Sequence, residues 1–292
     1  MKKILITGID SFTGVHLSSY LKNNGYDVYG TSLFKSGKNK YICDITKKDD
    51  IVNVVKSVRP DYLIHLSGIS FAAHGNNEDF YSVNTIGTIN ILDAIVELDL
   101  KPQKIILASS ATIYGNQGVE ILDESLCPKP ANHYGASKYA MECLAQNYFA
   151  KLPIIITRPF NYTGVGQAEY FLIPKVVKHF KEKKKVIELG NLDVSREFND
   201  VSFVCEIYKR LLEVDISGEV VNIASNKGIK LLDVVDMMNK IAKYNIEVKV
   251  NPEFVRKGEI KSLTGSSEKL FDIIGKVKQR DFKNILEDMY ND

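Results

Sequence analysis

Two groups of residues in this sequence have spacing that chemistry could use. The first is Tyr134-Gly135-Ala136-Ser137-Lys138, which sets a phenol and an ammonium four positions apart. On a helix such a pair shares one face. The ammonium then lowers the phenol's pKa and makes it an acid/base usable near neutrality. Upstream lies Ser109-Ser110-Ala111-Thr112-Ile113-Tyr114-Gly115, directly after an apolar run. A serine at that strand end can hydrogen-bond the same carbonyl or hydroxyl. The second group is Thr7-Gly8-Ile9-Asp10-Ser11-Phe12-Thr13-Gly14, placed where a strand turns into a helix. Glycine lets the backbone turn tightly and approach a pyrophosphate, and the helix N-terminus adds N–H donors and a positive dipole. A Tyr–Lys pair at this spacing is common by chance, and a glycine loop alone can be an ordinary turn. Their joint occurrence, in this order and with the strand-end serine, points to a dinucleotide-dependent enzyme.

These residues need a scaffold, and the hydrophobic pattern supplies one. Lys3–Thr7, Val28–Gly30, Tyr62–Leu66, Lys104–Ser109 and Ile154–Thr157 are short apolar runs that read as buried strands. Gly14–Asn24, Asp49–Val58, Thr88–Leu98 and Lys138–Phe149 read as helices between them. Strands alternating with helices of this length predict βαβ units and a parallel, doubly wound α/β sheet. After Arg158 the rhythm changes: a Gly-rich loop, helices over Ile173–Phe180, Ser202–Val214 and Leu231–Tyr244, and strands at Val220–Ile223 and Ile246–Val250. The expected organisation is a dinucleotide-binding domain over 1–160, with returning segments near 191–225. A smaller C-terminal substrate-binding cap over 161–190 and 226–292 completes it.

Composition narrows the function classes. The 292 residues hold 38 Lys+Arg against 36 Asp+Glu, a net charge of +2, with 45% hydrophobic and 25% charged residues. This is an ordinary globular balance, which argues against bulk nucleic-acid or membrane binding but leaves room for a local anion site. The lysine-rich run His179–Lys185 contains Glu182 and ends a helix, where cations suit the dipole. Cys43, Cys127, Cys143 and Cys205 form no CxxC pair or zinc spacing, so they are expected as reduced, mostly buried thiols with no metal site. The apolar opening ends at Thr7-Gly8, too soon for a secretion signal, and no apolar stretch is long enough to span a bilayer. A cytoplasmic protein is expected.

With these motifs in order, the sequence resembles the extended short-chain dehydrogenases/reductases, the nucleotide-sugar epimerase/dehydratase group, over almost its whole length. The shared segments are the 7–14 loop, Asp44-Ile45, His65-Leu66-Ser67-Gly68, Val83–Asn90 around Asn84, Arg158-Pro159-Phe160-Asn161 through Gln167, and Gly190–Val201. The resemblance implies a Rossmann-like sheet and a catalytic triad of Ser110, Tyr134 and Lys138. It implies cofactor contacts from Gly8, Ser11, Phe12, Thr13, Gly14, Ser32, Asp44, Ile45, Leu66, Ser67, Gly68, Tyr134, Lys138 and Pro159. Ser70, Thr112, Asn161, Arg196 and Arg256 would face the substrate, the two arginines clamping a diphosphate by bidentate bonds. Only six of the basic residues are arginines. His65 and Asn84 have ordinary structural readings as well, a core histidine and a helix cap.

Departures from the family pattern discriminate further. Ser11 replaces the loop's middle glycine. Family dehydratases carry an Asp-Glu pair after the strand-end serine or threonine, where this sequence has Ala111-Thr112, so dehydration is not expected. The tail from Asn251 to Ser266 resembles GDP-6-deoxy-4-keto-mannose reductases. The expected activity is NAD(P)H-dependent reduction of a nucleotide-linked 4-keto-6-deoxy-hexose, as in surface polysaccharide precursor synthesis. An NAD-dependent 4-epimerase is the alternative, and a non-catalytic dinucleotide sensor a remote third. The end of the second strand, Gly30–Lys35, carries no acid for a ribose 2′-hydroxyl, so NADP(H) is expected as preferred with NAD(H) accepted. A homodimer is expected through the Thr88–Leu98 and Tyr134–Phe149 helices.

Overall fold

Apolar runs become strands here because they are buried on both faces by helices. The structure is a computed structural model and describes residues 1–71, 75–255 and 258–292. Seven strands form one sheet: β1 (Lys3–Thr7), β2 (Asp27–Ser32), β3 (Lys40–Ile42), β4 (Tyr62–His65), β5 (Lys104–Ala108), β6 (Ile154–Pro159) and β7 (Glu219–Ile223). Their order is β7-β6-β5-β4-β1-β2-β3 and every pairing is parallel. The chain leaves β1 toward β2 on one side and returns to β4 on the other. Such a reversal opens a crevice at the C-terminal ends of the strands, the place where open α/β sheets bind ligands.

The α-helices longer than one turn are α1 (Phe12–Asn23), α2 (Lys48–Val58), α3 (Gly87–Glu97), α4 (His133–Ala145), α5 (Leu172–Lys181), α6 (Val201–Glu213), α7 (Leu231–Ala242), α8 (Glu268–Ile274) and α9 (Phe282–Asn291). Strand alternation divides the core. Ile4 and Ile6 face α1 and α6, packing with Leu17, Leu21, Val204 and Tyr208. Leu5, Leu63 and Ile105 face α2, α3 and α4, packing with Ile51, Ile91 and Met141. Each such fully buried aliphatic side chain contributes about 1.5–3 kcal/mol. A third core joins α5, α7 and α9 to the strand pair Val186–Leu189 and Glu247–Val250. A small three-stranded sheet of Ile229–Lys230, Ser195–Arg196 and Ser262–Leu263 lies beside it in the chain's second half.

Several local expectations change. The helix carrying Tyr134 starts at His133, not Lys138, because the Asn132 side chain caps it by accepting from Gly135 N at 2.9 Å. The turns before α3, Phe80–Ile86, are wound as a π-helix. β3 is an additional strand, too short and too exposed to show in the apolar pattern. Cys43 and Cys205 are buried, whereas Cys127 and Cys143 are exposed, so only half of the thiols follow the burial expected of them. Among the described residues no His/Cys/Asp/Glu group could hold a metal ion, and no helix is long and apolar enough to cross a membrane.

Candidate active site

The glycine loop is stitched to β2. Gly8 N donates to Thr31 Oγ1 at 3.3 Å and Ile9 N to Thr31 O at 3.0 Å. The Ile9 side chain lies where a Cβ on Gly30 would stand, 2.4 Å from its Cδ1. Gly8 has φ +70°, which an L side chain rarely adopts, and a Cβ on Gly14 would sit 2.3 Å from Gly8 O. Ser11 needs no such freedom: at φ −68° it is the N-cap of α1, its hydroxyl accepting from Gly14 N at 3.1 Å. The replaced glycine therefore became a helix cap.

Beside this loop the 66–69 segment is held by a buried relay. Leu66 N and Ser67 N both donate to Thr7 Oγ1 at 3.2 Å. The Thr7 hydroxyl meets His65 Nδ1 at 2.6 Å, and His65 Nε2 meets Thr88 Oγ1 at 2.9 Å. Thr88 spends its own proton on Asn84 O at 2.8 Å, so it must accept from His65, which fixes the Nε2–H tautomer. Burial, with the Lys138 charge adding to it, pushes His65 down to about 3, so it is a neutral core residue. Asn84 is not a cap. Its Oδ1 accepts from Ile69 N at 2.8 Å, and its amide donates to Ile69 O and Ser137 Oγ, both at 3.1 Å, bolting the loop to α4.

Ser110, Tyr134 and Lys138 converge at the ends of β5 and α4. Lys138 Nζ donates to Ala108 O at 2.8 Å. A Cβ on Gly68 would lie 3.3 Å from that Nζ, so the bare glycine leaves space beside the ammonium. Burial pulls Lys138 down to about 8, with Glu142, one helical turn on, acting the other way. Ser110 Oγ accepts from Thr112 N at 3.2 Å and from Thr112 Oγ1 at 2.9 Å, which leaves its own proton to donate. The Ser110 hydroxyl faces the Tyr134 phenol and lowers a pKa that burial raises. The expected acidification of the phenol by Lys138 is thus corrected: desolvation dominates, and Ser110 supplies the opposing contribution. Tyr162 stands close by. Its hydroxyl lies 2.6 Å from Thr13 Oγ1 and its ring stacks with Phe12, tying the glycine loop to the 161–167 loop.

The remaining expected residues fall as follows. Ser32 ends β2 buried. Asp44 turns the chain into α2 by accepting from Thr46 N at 3.0 Å, and Ile45 packs under Gly87. Pro159 ends β6, Asn161 and Ser70 are exposed, and Thr112 is half-buried. Arg196 is engaged within the small three-stranded sheet: it pairs with Glu259 at 2.8 Å and donates to Ser195 O at 2.8 Å, Lys261 O at 3.2 Å and Ile260 O. Glu259 also lines a cavity of about 720 Å3 together with Asn116, Asp193 and Lys261. Arg256 lies outside the described residues. Sequence reasoning missed three groups: Tyr162, the Glu142–Arg158 pair beneath Lys138, and the Asp10–Lys40 pair at the end of β2. The i,i+4 spacing of Lys138 and Glu142 was the available signal for the second.

A dinucleotide fits what these residues leave open. The positive φ at Gly8 and the contact of Gly14 with Gly8 O make a loop that accepts no side chain facing the crevice. Ser109 Oγ, next to Ala108 and Ser110, is buried without a hydrogen-bond partner, a rare state that a ligand would relieve.

Residues 4–224 match the family model described as "NAD dependent epimerase/dehydratase family". The chain is 37% identical to GDP-6-deoxy-D-talose 4-dehydrogenase of Aggregatibacter actinomycetemcomitans, over 99% of this chain and 97% of that one. It is 28% identical to GDP-6-deoxy-D-mannose reductase of Pseudomonas aeruginosa, over 94% and 91%. Among solved structures, RMD from Pseudomonas aeruginosa complexed with NADPH superposes with a TM-score of 0.88 at 26% identity, covering 100% of this chain and 98% of that one.

Proposed function

The chain belongs to the NAD-dependent epimerase/dehydratase family, and on that premise we propose that it reduces a GDP-linked 4-keto-6-deoxy-hexose to the 6-deoxy-hexose. The observation that carries this reading is the surroundings of Tyr134. Burial and the Ser110 hydroxyl are what act on its phenol, and the positions after Ser110 hold buried Ala111 and Thr112, whose hydroxyl bonds back to Ser110. A site so built can pass one proton to one oxygen but has no carboxylate there for the elimination of water. The names of the two curated relatives, both GDP-6-deoxy-hexose oxidoreductases, support the base and the sugar class.

In this reading the Ser110 hydroxyl hydrogen-bonds the carbonyl oxygen at carbon 4 and orients it. Tyr134 gives that oxygen its proton while carbon 4 receives the hydride that bound reduced nicotinamide supplies. Lys138 keeps one donor on Ala108 O and turns its others into the space beside Gly68, where ribose hydroxyls would lie. The 161–190 and 226–292 segments would form the nucleotide-sugar cap. For Arg196 to bind a diphosphate, the phosphate would take the place that Glu259 holds on its guanidinium. NADPH is the preferred cofactor and NADH is accepted, because Ser32 and nearby lysines, not a β2 carboxylate, meet the adenosine ribose.

The test is incubation with NADPH and a panel of GDP-, dTDP-, UDP- and CDP-4-keto-6-deoxy sugars. Reduced-nicotinamide absorbance should fall mole for mole with product, most quickly with the GDP sugar. Tyr134→Phe should abolish turnover and leave cofactor binding largely intact. Turnover without net cofactor consumption would mark a 4-epimerase and sink the reductase reading, and so would undiminished turnover in the Tyr134 variant.

A further inference from the structure

At the end of β2, where dinucleotide-binding folds commonly place an acid for the ribose 2′-hydroxyl, the strand itself ends in Ser32-Leu33-Phe34-Lys35. The structure nonetheless brings a carboxylate there from another element. Nesting of Ile9 against Gly30 lays the glycine loop over β2, so that the next side chain, Asp10, reaches the strand's end. Lys40, from edge strand β3, pairs with it at 3.0 Å to Oδ1 and 3.4 Å to Oδ2. Ser32 Oγ accepts from Phe34 N at 3.3 Å and Lys35 N at 3.1 Å, which leaves its own proton to donate. The Asp10 carboxyl is held below its ordinary range, first by that Ser32 hydroxyl and also by Lys40 and Lys35, although burial works the other way. Both members of the pair remain accessible, with 23% of the Lys40 side chain and 45% of the Asp10 side chain exposed. Neither side chain is needed to hold the sheet together, since Lys40 pairs with β2 through its backbone.

We propose that Asp10 and Lys40 are the specificity pair that chooses between a 2′-phosphate and a 2′-hydroxyl on the adenosine ribose. This rests on the reading of the crevice as a nicotinamide dinucleotide site. Lys40, with Lys35 in support, is the cation that a 2′-phosphate recruits. Asp10 is the counter-charge: it accepts from a 2′-hydroxyl, and it opposes the phosphate both by like-charge repulsion and by occupying Lys40. Such a pair would let one chain take both cofactors, with the balance set by two side chains from different elements.

The test needs no sugar substrate. Dissociation constants for NADPH and NADH are measured separately on the full chain by quenching or enhancement of nicotinamide fluorescence. The proteins are the unaltered chain, Asp10→Asn, Lys40→Gln and the double variant, with circular dichroism to confirm the fold. Asp10→Asn should raise the NADPH:NADH affinity ratio about tenfold, chiefly by tightening NADPH, the scale expected for one like charge removed from a partly exposed site. Lys40→Gln should lower that ratio by about tenfold and flatten the dependence of NADPH binding on salt, since a screened ion pair is gone. The double variant should fall between the two. A ratio that moves less than about twofold in both single variants, with both cofactors still bound, overturns the proposal and leaves the dinucleotide reading standing. Binding of neither cofactor to the unaltered chain overturns that reading itself, and the proposal with it.

Discussion

Arg158 belongs to the Arg-Pro-Phe-Asn segment and invites assignment as a ligand-binding cation, but the structure spends it internally. Its Nη2 lies 2.7 Å from Glu142 Oε2, with 6% of the arginine side chain and 0% of the glutamate side chain exposed. Its Nε adds contacts of 3.1 and 3.2 Å to the same carboxylate, and its Nη1 donates to Tyr114 OH at 2.9 Å. The guanidinium carbon also sits 5.0 Å from the Tyr114 ring centroid. Burial disfavours the charged guanidinium, yet Glu142 more than offsets it, and the arginine is held well above its usual range. Replacing Arg158 with Met keeps most of the volume and deprives the buried Glu142 carboxylate of its ion-pair partner. Removing one partner of such a pair costs about 3–5 kcal/mol, whereas replacing both with apolar groups is often neutral. At roughly 2 °C per kcal/mol for a chain of this size, Arg158→Met should lower Tm by about 6–10 °C. The double variant Arg158→Met/Glu142→Met should recover most of that loss, because Tyr114 still donates to Asn222 Oδ1 at 2.8 Å. Chemical denaturation of the four proteins closes a double-mutant cycle. A cost below about 1 kcal/mol for Arg158→Met, or a double variant no more stable than the single, would refute the argument that this pair is held by mutual compensation.

Two further outcomes concern pH. Burial pulls Lys138 down to about 8, so its ammonium is lost as pH rises through that value; kcat/KM for sugar reduction should fall on the alkaline side with an apparent pKa near 8. Glu142 is the charge that raises Lys138, so Glu142→Gln should move this limb to lower pH, and an unmoved limb would remove Lys138 as its source. On the acid side, His65 titrates near 3 in the fold but near 6.5 when unfolded. Between those values the unfolded chain binds a proton that the folded one refuses, so stability drops as pH falls below 6.5. From pH 7 to 4.5 the loss from this one group is about 2–3 kcal/mol. His65→Gln should be less stable at pH 7 but lose correspondingly less on acidification; an equal acid loss in denaturant titrations would show that His65 is not buried neutral.

What the sequence made legible was what its local patterns encode. Ile4-Leu5-Ile6 alternates between the two faces of a fully covered strand, so an unbroken apolar run sufficed to identify it. The Tyr134–Lys138 spacing is likewise used by the fold, because the helix begins at His133 and so carries both residues on one face. The boundary itself was misread because Gly135 weakens the helical pattern, although the capping Asn132 was there to be used. β3 was invisible for a different reason: it is three residues long, half-exposed, and held by backbone bonds to β2, which no side-chain pattern reports.

The side chains whose contacts at the site local patterns did not foretell share a cause, which is that their partners are distant in the chain. Arg196 pairs with Glu259, 63 positions later, a partner that no local pattern points to. Asp10 looks like a filler position in a glycine loop until Ile9 packs on Gly30 and carries it to the end of β2. The end of β2 carries no acid of its own in the sequence, yet the fold brings the Asp10 carboxylate beside it from the glycine loop. Substituting the loop's middle glycine by Ser11 and placing Asp10 before it are then two parts of one arrangement. Ser11 closes the first turn of α1 with its own hydroxyl at an ordinary φ, so the loop keeps its path without glycine's freedom, and that fixed path is what aims Asp10 at Ser32 and Lys40. Restoring glycine at position 11 would remove the cap and widen the loop's conformational range, so it should weaken dinucleotide binding even though it restores the family pattern.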